Sequence, residues 1–289
     1  MHPFTYQRPS TLDEAVRLLD EHGPAARIIA GGTDLMLGLR DYSTQPDVVV
    51  DLKRVPELEP AIRQLDGRLS ISSGTVMADI EVHPVVLQHF HPLAEAAAVV
   101  GSVQIRNRAT LAGNICNASP AADTAPPLLV YDATVVAHGP NGPRRIPIDE
   151  FFVRSRQTTL RRGELVTAIE LPHPPRATAG AYLRITRRRG TDLASVTLCC
   201  TVDEAGITRI AFGSVGPRPL AFTDSSGVLA DPEGSETTRR AILEPMLSAA
   251  APSARSVRAS PEYRLAMLRV LAERAVRRAT ERLIGGPGT

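Results

Sequence analysis

The sequence predicts an α+β protein of two domains. Its 289 residues are enough to build two hydrophobic cores. Strand and helix signals alternate over the first 55 residues, whereas residues 182–214 have the pattern of an antiparallel meander. A polar segment rich in proline and glycine, residues 173–180, separates these two sequence patterns. The expected domains are residues 1–175, with subdomains of about 1–55 and 56–175, and residues 176–289.

Local signals predict helix, strand, helix and strand in the first subdomain. Thr11 and Glu14 have the spacing of a capping box, and apolar residues then recur at helical intervals until Gly23. A short apolar strand at 27–30 leads into Gly31-Gly32-Thr33-Asp34 and a second helix, with Thr33 or Asp34 as its cap. A strand at 47–52 follows Pro46.

The second subdomain is predicted to mix strands, helices and one hairpin. The glycine-flanked turn at 139–142 indicates a hairpin. The expected helices begin near Val76, at Pro92 and at Pro127, and the expected strands cover 69–72, 133–137, 144–148 and 164–171.

The second domain is predicted to contain a three-stranded antiparallel sheet and two closing helices. Its strands are expected at 182–186, 194–202 and 207–214. The last helix begins at Ser260-Pro261, a favourable N-cap and first-turn pair. Its many arginines are expected on a solvated outer face.

Composition excludes several function classes. The 33 basic and 31 acidic residues leave a net charge of +2, which does not favour nucleic acid or membrane surfaces. No apolar run reaches the ~18–20 residues that span a bilayer, and the N-terminus lacks a signal-peptide core. We therefore expect a cytoplasmic protein without nucleic-acid partners.

The cysteines and histidines do not form a recognisable reactive site. Cys116, Cys199 and Cys200 show neither disulfide nor metal-cluster spacing, so no metal is expected on this chain. Cys199 and Cys200 are expected in a strand, with at least one of the two thiols in the core. Cys116 either packs as a small residue or lies near a ligand. The neighbouring histidines are expected to be structural or exposed: His83, His89 and His91.

Residues 101–127 form the most informative segment. They contain many small and polar residues and no clear helical or strand period. Long loops of this kind are often functional, and small side chains let backbone N–H groups approach a ligand. The segment is therefore a candidate ligand cradle.

A second loop supports the same interpretation. Gly31-Gly32-Thr33-Asp34 lies between a strand and a helix, an arrangement that favours a phosphate, although it is neither a Rossmann motif nor a P-loop. Residues 110–114 add a hydroxyl, small residues and a carboxamide, and Asp123 follows nearby. Two such loops indicate an extended diphosphate ligand such as FAD.

These residues carry a family resemblance. The chain resembles the FAD-binding medium subunit of the xanthine dehydrogenase and carbon monoxide dehydrogenase group of molybdenum hydroxylases. The matching stretches occur in the family's order and cover most of the chain: residues 3–6, 30–35, 104–107, 110–114, 118–123, 164–172 and 187–196.

The resemblance implies a fold and a set of cofactor contacts. The fold would be a para-cresol methylhydroxylase-type FAD-binding domain followed by the small C-terminal domain, with FAD bound non-covalently. The diphosphate would lie on one loop: Ala30, Gly31, Gly32, Thr33 and Asp34. The remaining implied contacts are Thr110, Ala112, Gly113, Asn114, Asp123, Val166, Tyr182 and Arg184. Ala112 stands where the family commonly has glycine, and Arg184 where it often has lysine.

The resemblance also implies an electron-transfer role. Electrons from [2Fe–2S] clusters of a small subunit would pass through FAD to NAD or another acceptor, while a large molybdopterin subunit hydroxylates the substrate. No side chain of this chain would act as a catalytic acid or base. Two alternatives remain: a free-standing FAD-dependent oxidoreductase acting on a small organic molecule, and a non-enzymatic module that only bridges partners.

Overall fold

The computed structural model describes residues 2–285. The chain begins with a three-stranded parallel sheet in the order β1-β3-β2, composed of β1 (Thr5–Gln7), β2 (Ala26–Ile29) and β3 (Val48–Asp51). Helices α1 (Leu12–His22) and α2 (Leu35–Arg40) follow β1 and β2. The predicted order of helix, strand, helix and strand is confirmed, and β1 is an additional strand.

Helix α1 forms where the capping signal predicts it. The Thr11 hydroxyl accepts a hydrogen bond from the Glu14 N–H at 3.2 Å, which satisfies one free donor of the first turn. Its apolar face packs on Val48 and Val50 of β3 in a core that also contains Leu165. Leu165 belongs to the next sheet, so the two sheets share this core.

The second sheet has five antiparallel strands in the order β4-β5-β10-β6-β7. The tight turn between β6 and β7 confirms the predicted hairpin. The strands are β4 (Ile62–Leu65), β5 (Arg68–Ser72), β6 (Thr134–Gly139), β7 (Gly142–Pro147) and β10 (Leu165–Pro172). Between β7 and β10 lie α9 (Ile148–Phe151) and the small hairpin of β8 (Phe152–Arg154) and β9 (Gln157–Thr158).

The helices before the candidate cradle number three instead of the two predicted. They are α3 (Met77–Val82), α4 (Pro84–His89) and α5 (His91–Ala98). Pro84 and Pro92 each stand in a first helical turn, where the missing N–H is harmless. Because proline cannot continue a preceding helix, each one starts a new helix.

The segment 101–127 is not a continuous irregular loop, which corrects the sequence interpretation. It contains α6 (Val103–Arg106), α7 (Leu111–Cys116) and α8 (Ala125–Val130). Ser102 and Thr110 cap the first two by accepting hydrogen bonds from the Ile105 and Gly113 N–H groups. Helices of four to six residues are too short to show a hydrophobic period.

The C-terminal sheet has four antiparallel strands instead of the three predicted. Its strands, in spatial and chain order, are β11 (Thr178–Ile185), β12 (Val196–Asp203), β13 (Thr208–Gly213) and β14 (Leu220–Asp224). Two prolines shortly before Leu220 and the short length of the strand, five residues, conceal β14 in the sequence. The fourth strand forms one edge of the sheet.

This sheet lies between two layers of helices. Cys199 belongs to the core shared with α5 and α8, whereas Cys200 faces the core made with α10 (Glu236–Leu247) and α11 (Pro261–Gly285). Both thiols are fully buried, where the sequence predicts at least one in the core. Their opposite directions follow from the two-residue period of a strand.

Two arginines of α11 do not lie on the outer face that the sequence predicts. Arg264 is buried, and it donates to the Ser214 carbonyl at 2.7 Å. Arg282 is half-buried and donates to the Gly180 carbonyl at 2.6 Å. Both guanidinium groups therefore satisfy backbone acceptors beneath the helix.

Within residues 2–285, the helices are too short or too polar to cross a membrane. No group of three or more His, Cys, Asp or Glu side chains in the same residues is placed to hold a metal ion.

The contact between β11 and α5 generates a stability prediction. A Cβ added at Gly180 would lie 2.7 Å from both the Cys200 carbonyl oxygen and Cγ of Pro92. We expect Gly180→Ala to lower the free energy of unfolding by about 1–3 kcal/mol, because the strand must move away from both neighbours. Urea denaturation measures the change.

The matched control is Gly216→Ala. Its added methyl would approach one atom, the Arg218 carbonyl oxygen, at 3.3 Å. We expect a change within about 0.5 kcal/mol. Equal effects of the two substitutions would contradict the packing described for β11.

Candidate cofactor site

Two loops meet at the candidate site, one that follows β2 and one that connects α6 to α7. Gly31 follows β2, and a Cβ added to it would lie 2.7 Å from the Arg108 carbonyl carbon and 3.1 Å from the Ala109 Cα. Only glycine permits this approach of one backbone to another. The structure therefore places the loop of residues 30–34 directly against the residues that precede Thr110.

The first loop turns sharply into α2. Gly32 has φ of +75°, and its carbonyl accepts the Met36 N–H at 2.9 Å. Asp34 occupies the N-cap position, but its side chain makes no capping hydrogen bond. Within residues 2–285, the N–H groups of Gly32, Thr33 and Asp34 donate to no protein acceptor. Consecutive free N–H groups of this kind can bind an anion.

The second loop is fixed by the backbone of the five-stranded half. The Ala109 carbonyl accepts the Met77 N–H at 2.9 Å, and the Leu111 N–H donates to the Thr75 carbonyl at 3.3 Å. Thr110 is buried and caps α7 through the Gly113 N–H at 3.0 Å. The loop is therefore rigid where it faces Gly31.

Ala112 fits the position where the family commonly has glycine. It lies inside α7 with helical backbone, so no positive φ is required there. Its methyl group is buried in the hydrophobic core, whereas the neighbouring Gly113 is exposed. The additional methyl group thus points away from the exposed side of the loop.

Asn114 connects this loop to the segment that carries Asp123. Its Oδ1 accepts the Thr124 hydroxyl at 2.7 Å. This bond orients the carboxamide and leaves its NH₂ group to donate elsewhere. Thr124 is fully buried, so the position of Asn114 is well defined.

Asp123 forms a buried cluster with two residues of β11. The Tyr182 hydroxyl donates to its Oδ1 at 2.5 Å, and Arg184 Nη1 lies 3.1 Å from its Oδ2. Burial raises the pKa of Asp123, while the Arg184 charge and both hydrogen bonds oppose that rise. Burial and the neighbouring carboxylate also raise the pKa of Tyr182 well above 10, so this hydroxyl remains a donor.

The predicted residues thus form two groups linked through Asn114 and Thr124. The first group contains residues 30–34, Thr110, Ala112 and Gly113, and the second contains Asp123, Tyr182 and Arg184. Val166 is buried on β10 within the core that also includes Leu111 and Ala112 of α7. It lies beside a register shift in the pairing of β10 with β6.

Glu95 is a central residue that sequence reasoning missed. Its Oε2 accepts the Tyr182 N–H at 2.8 Å, and its Oε1 accepts Arg282 Nη2 at 2.6 Å. His91, one turn earlier on α5, lies 3.4 Å from the same Oε1. The four-residue spacing of His91 and Glu95 is typical of a side-chain pair on one helix. The partners of Glu95 on β11 and α11 are distant in the chain, so the sequence around Glu95 does not indicate them.

These hydrogen bonds perturb the Glu95 carboxyl group. Burial alone would raise its pKa, but the bonds from His91, Arg282 and the Tyr182 N–H outweigh burial and lower the pKa to about 2. Glu95 therefore stays ionised and joins α5 to two elements of the C-terminal domain.

Two small-residue loops and a buried acid, built across adjoining α/β units, define a candidate dinucleotide-binding site. A family model described as the FAD binding domain in molybdopterin dehydrogenase matches residues 2–174. A second, the CO dehydrogenase flavoprotein C-terminal domain, matches residues 181–279. The chain belongs to the family of FAD-binding subunits of molybdopterin dehydrogenases, which confirms the resemblance found in the sequence.

Individual relatives are similar to this chain over most of its length. A xanthine dehydrogenase FAD-binding subunit of Escherichia coli O157:H7 is 31% identical over 280 residues, covering 95% of each chain. A nicotinate dehydrogenase FAD-subunit of Eubacterium barkeri is 33% identical, covering 84% of this chain and 85% of the relative. The structure of carbon monoxide dehydrogenase from Hydrogenophaga pseudoflava, lacking the Mo-pyranopterin moiety, matches with a TM-score of 0.88 and 29% identity. That match covers 98% of this chain and 99% of the other.

The Glu95 contacts generate a prediction of pH-dependent stability. Because the folded pKa of about 2 lies below the ordinary value of 4.5, the ionised carboxylate stabilises the fold above pH 4.5, and this stabilisation is lost as the pH falls toward 2. We expect the difference in unfolding free energy between wild type and Glu95→Gln to be on the order of 3 kcal/mol at pH 7 and to shrink below pH 4.5. Denaturant titrations at several pH values measure it.

Glu236→Gln is the matched control for this experiment. Glu236 is exposed and pairs with Arg240 on α10, and an exposed pair contributes at most ~1 kcal/mol. A Glu95→Gln effect that stays constant from pH 7 to pH 3 would contradict the role assigned to the carboxylate.

Proposed function

We propose that this chain holds one FAD non-covalently across its two small-residue loops and passes electrons between a partner subunit and an external acceptor. The observation that carries the proposal is the contact of Gly31 with the backbone of Arg108 and Ala109. It brings the first loop, with its free N–H groups, against the residues that lead into Thr110 and α7. An extended diphosphate ligand needs donors from both sides.

Different residues would contact different parts of the cofactor. Gly32, Thr33 and Asp34 offer N–H groups for the diphosphate, and the Asn114 amide offers a further donor. Val166 provides apolar surface behind α7. Tyr182 and Arg184 orient the Asp123 carboxylate through their hydrogen bonds. When bound, FAD supplies the redox chemistry, because it can exchange electrons singly or in pairs. The protein provides position and electrostatic environment.

The cluster around Asp123 would tune the cofactor's surroundings. Its carboxylate has one hydrogen bond to each oxygen, and an ionised carboxylate can accept more. Arg184 offsets its charge, so the site presents a hydrogen-bond acceptor with reduced net charge. Tyr182 fixes the direction of that acceptor.

We further propose that the partners are a small subunit with [2Fe–2S] clusters and a large molybdopterin subunit in the cytoplasm, with NAD among the candidate acceptors. The relatives are named as subunits of dehydrogenases for xanthine and nicotinate. One architecture serves different named substrates, which supports a substrate pocket on another subunit. We propose residue 175 as the boundary between the two domains of this chain.

The test is isolation of the protein from its native source. We expect a flavin absorbance spectrum, release of FAD on denaturation, and co-purification of subunits containing iron and molybdenum. An isolated metal-free chain that turns over an organic substrate would instead support a free-standing oxidoreductase. A chain that remains colourless after reconstitution with FAD would contradict flavin binding.

The glycine at 32 generates a quantitative prediction. Gly32→Ala places a methyl group at φ of +75°, 3.1 Å from the Ile29 side chain, and disturbs the turn that exposes the N–H groups. We expect the Kd for FAD to rise about tenfold or more, corresponding to the loss of a hydrogen bond to a charged group. Titration of the apoprotein by flavin fluorescence measures it.

Gly67→Ala is a matched control because Gly67 also has φ of +75° and lies in the turn between β4 and β5. We expect a similar loss of stability from backbone strain and an unchanged FAD affinity. Equal FAD affinity in both variants would contradict the role of the first loop.

A further inference from the structure

The hairpin of β8 and β9 carries an arginine in an unusual backbone conformation. Ser155 and Arg156 form its two-residue turn, and Arg156 has φ of +60°. Turns of this kind favour asparagine or glycine at such positions, because a larger side chain is strained there. Strained residues cluster at binding sites, where the surrounding structure holds them in place.

The backbone of Arg156 is fixed to the candidate cradle. Its N–H donates to the Ala118 carbonyl at 3.1 Å, and Ala118 itself has φ of +46°. Ala118 follows α7 and precedes Asp123 in the chain. The hairpin tip therefore docks onto the segment that connects the two groups of candidate site residues.

The Arg156 charge acts on two carboxyl groups that flank α2, those of Asp34 in the first loop and of Asp41. Desolvation raises the pKa of the Asp34 carboxyl group, although the residue is exposed overall, and the nearby Arg156 charge opposes that rise. Bonds from Ser43 lower the pKa of Asp41 beyond α2, and Arg156 adds to that lowering. Among the described residues, the Arg156 guanidinium donates no hydrogen bond, so its donors remain available.

We propose that Arg156 is a cationic ligand for the diphosphate of FAD, presented by the β8–β9 hairpin beside the loop of residues 30–34. This inference rests on the proposed function, because it concerns the same cofactor. The two loops offer neutral N–H groups, whereas a diphosphate carries negative charge that an arginine fork matches well. Binding of the diphosphate would explain why an arginine, and not glycine, occupies this position of the turn.

The experiment uses the full-length chain after removal of flavin, titrated separately with FAD, ADP and riboflavin at one fixed salt concentration. We expect Arg156→Gln to raise the Kd for FAD and ADP about tenfold or more, as for loss of a charged hydrogen bond. Riboflavin lacks phosphate, so its Kd should stay within about twofold of wild type. Arg156→Lys should lose less affinity for FAD and ADP than Arg156→Gln, because lysine keeps the positive charge.

Two further variants distinguish the effect of the Arg156 charge from the effect of its strained backbone. Arg156→Gly should match the FAD loss of Arg156→Gln while keeping or raising the melting temperature of the apoprotein, because glycine relieves the strain. Arg154→Gln is the matched control: Arg154 lies in the same hairpin and bonds to Gln157 at 2.6 Å. Its FAD affinity should equal that of wild type.

The contrary outcomes are distinct. FAD affinity of Arg156→Gln equal to wild type would overturn this inference alone, as would an equal loss of FAD and riboflavin binding, which indicates a distorted hairpin. A wild-type chain that does not bind FAD would overturn the proposed function and this inference with it.

Discussion

The approach of Gly31 to the backbone of Arg108 and Ala109 is the constraint on which the candidate site depends. Any side chain at this position would push the loop after β2 away from the loop between α6 and α7. Glycine is required here for close approach, whereas at Gly32 it is required for a positive φ. The two adjacent glycines are therefore required for different reasons, Gly31 for the close approach of two backbones and Gly32 for its positive φ.

A second constraint comes from the C-terminal domain. Tyr182 and Arg184 of β11 both bond to Asp123, while Glu95 holds the Tyr182 N–H and Arg282. A buried acid is costly unless it is hydrogen-bonded and paired, and here the compensation crosses the interface between the domains. The C-terminal sheet therefore does more than cover the FAD-binding half, because it sets the position of its buried acid.

The sequence predicts best what is decided locally. Capping at Thr11, the β6–β7 turn and the long period of α11 are local signals, and the structure has these elements. Helix α4 begins at a proline and strand β14 directly follows one, and both are too short to show a period. Arg264 shows the limit most clearly: it lies one turn before Leu268 on the apolar stripe, but its acceptor is the carbonyl of Ser214, fifty residues away. Glu95 was missed for the same reason, since its partners come from distant strands and helices.

Among residues 2–285, three of the six non-glycine residues with positive φ lie in residues 118–120 or bond to them: Ala118, Arg156 and Ser214. Arg156 at φ of +60° donates its N–H to the Ala118 carbonyl, and Ser214 at φ of +65° donates to the Pro120 carbonyl at 2.6 Å. These donors come from a hairpin of the first domain and from the end of β13. Strained conformations persist only where neighbouring contacts hold them. The two bonds therefore hold the segment that leads into Asp123, so the acid at the candidate cofactor site is positioned by both domains before any ligand binds.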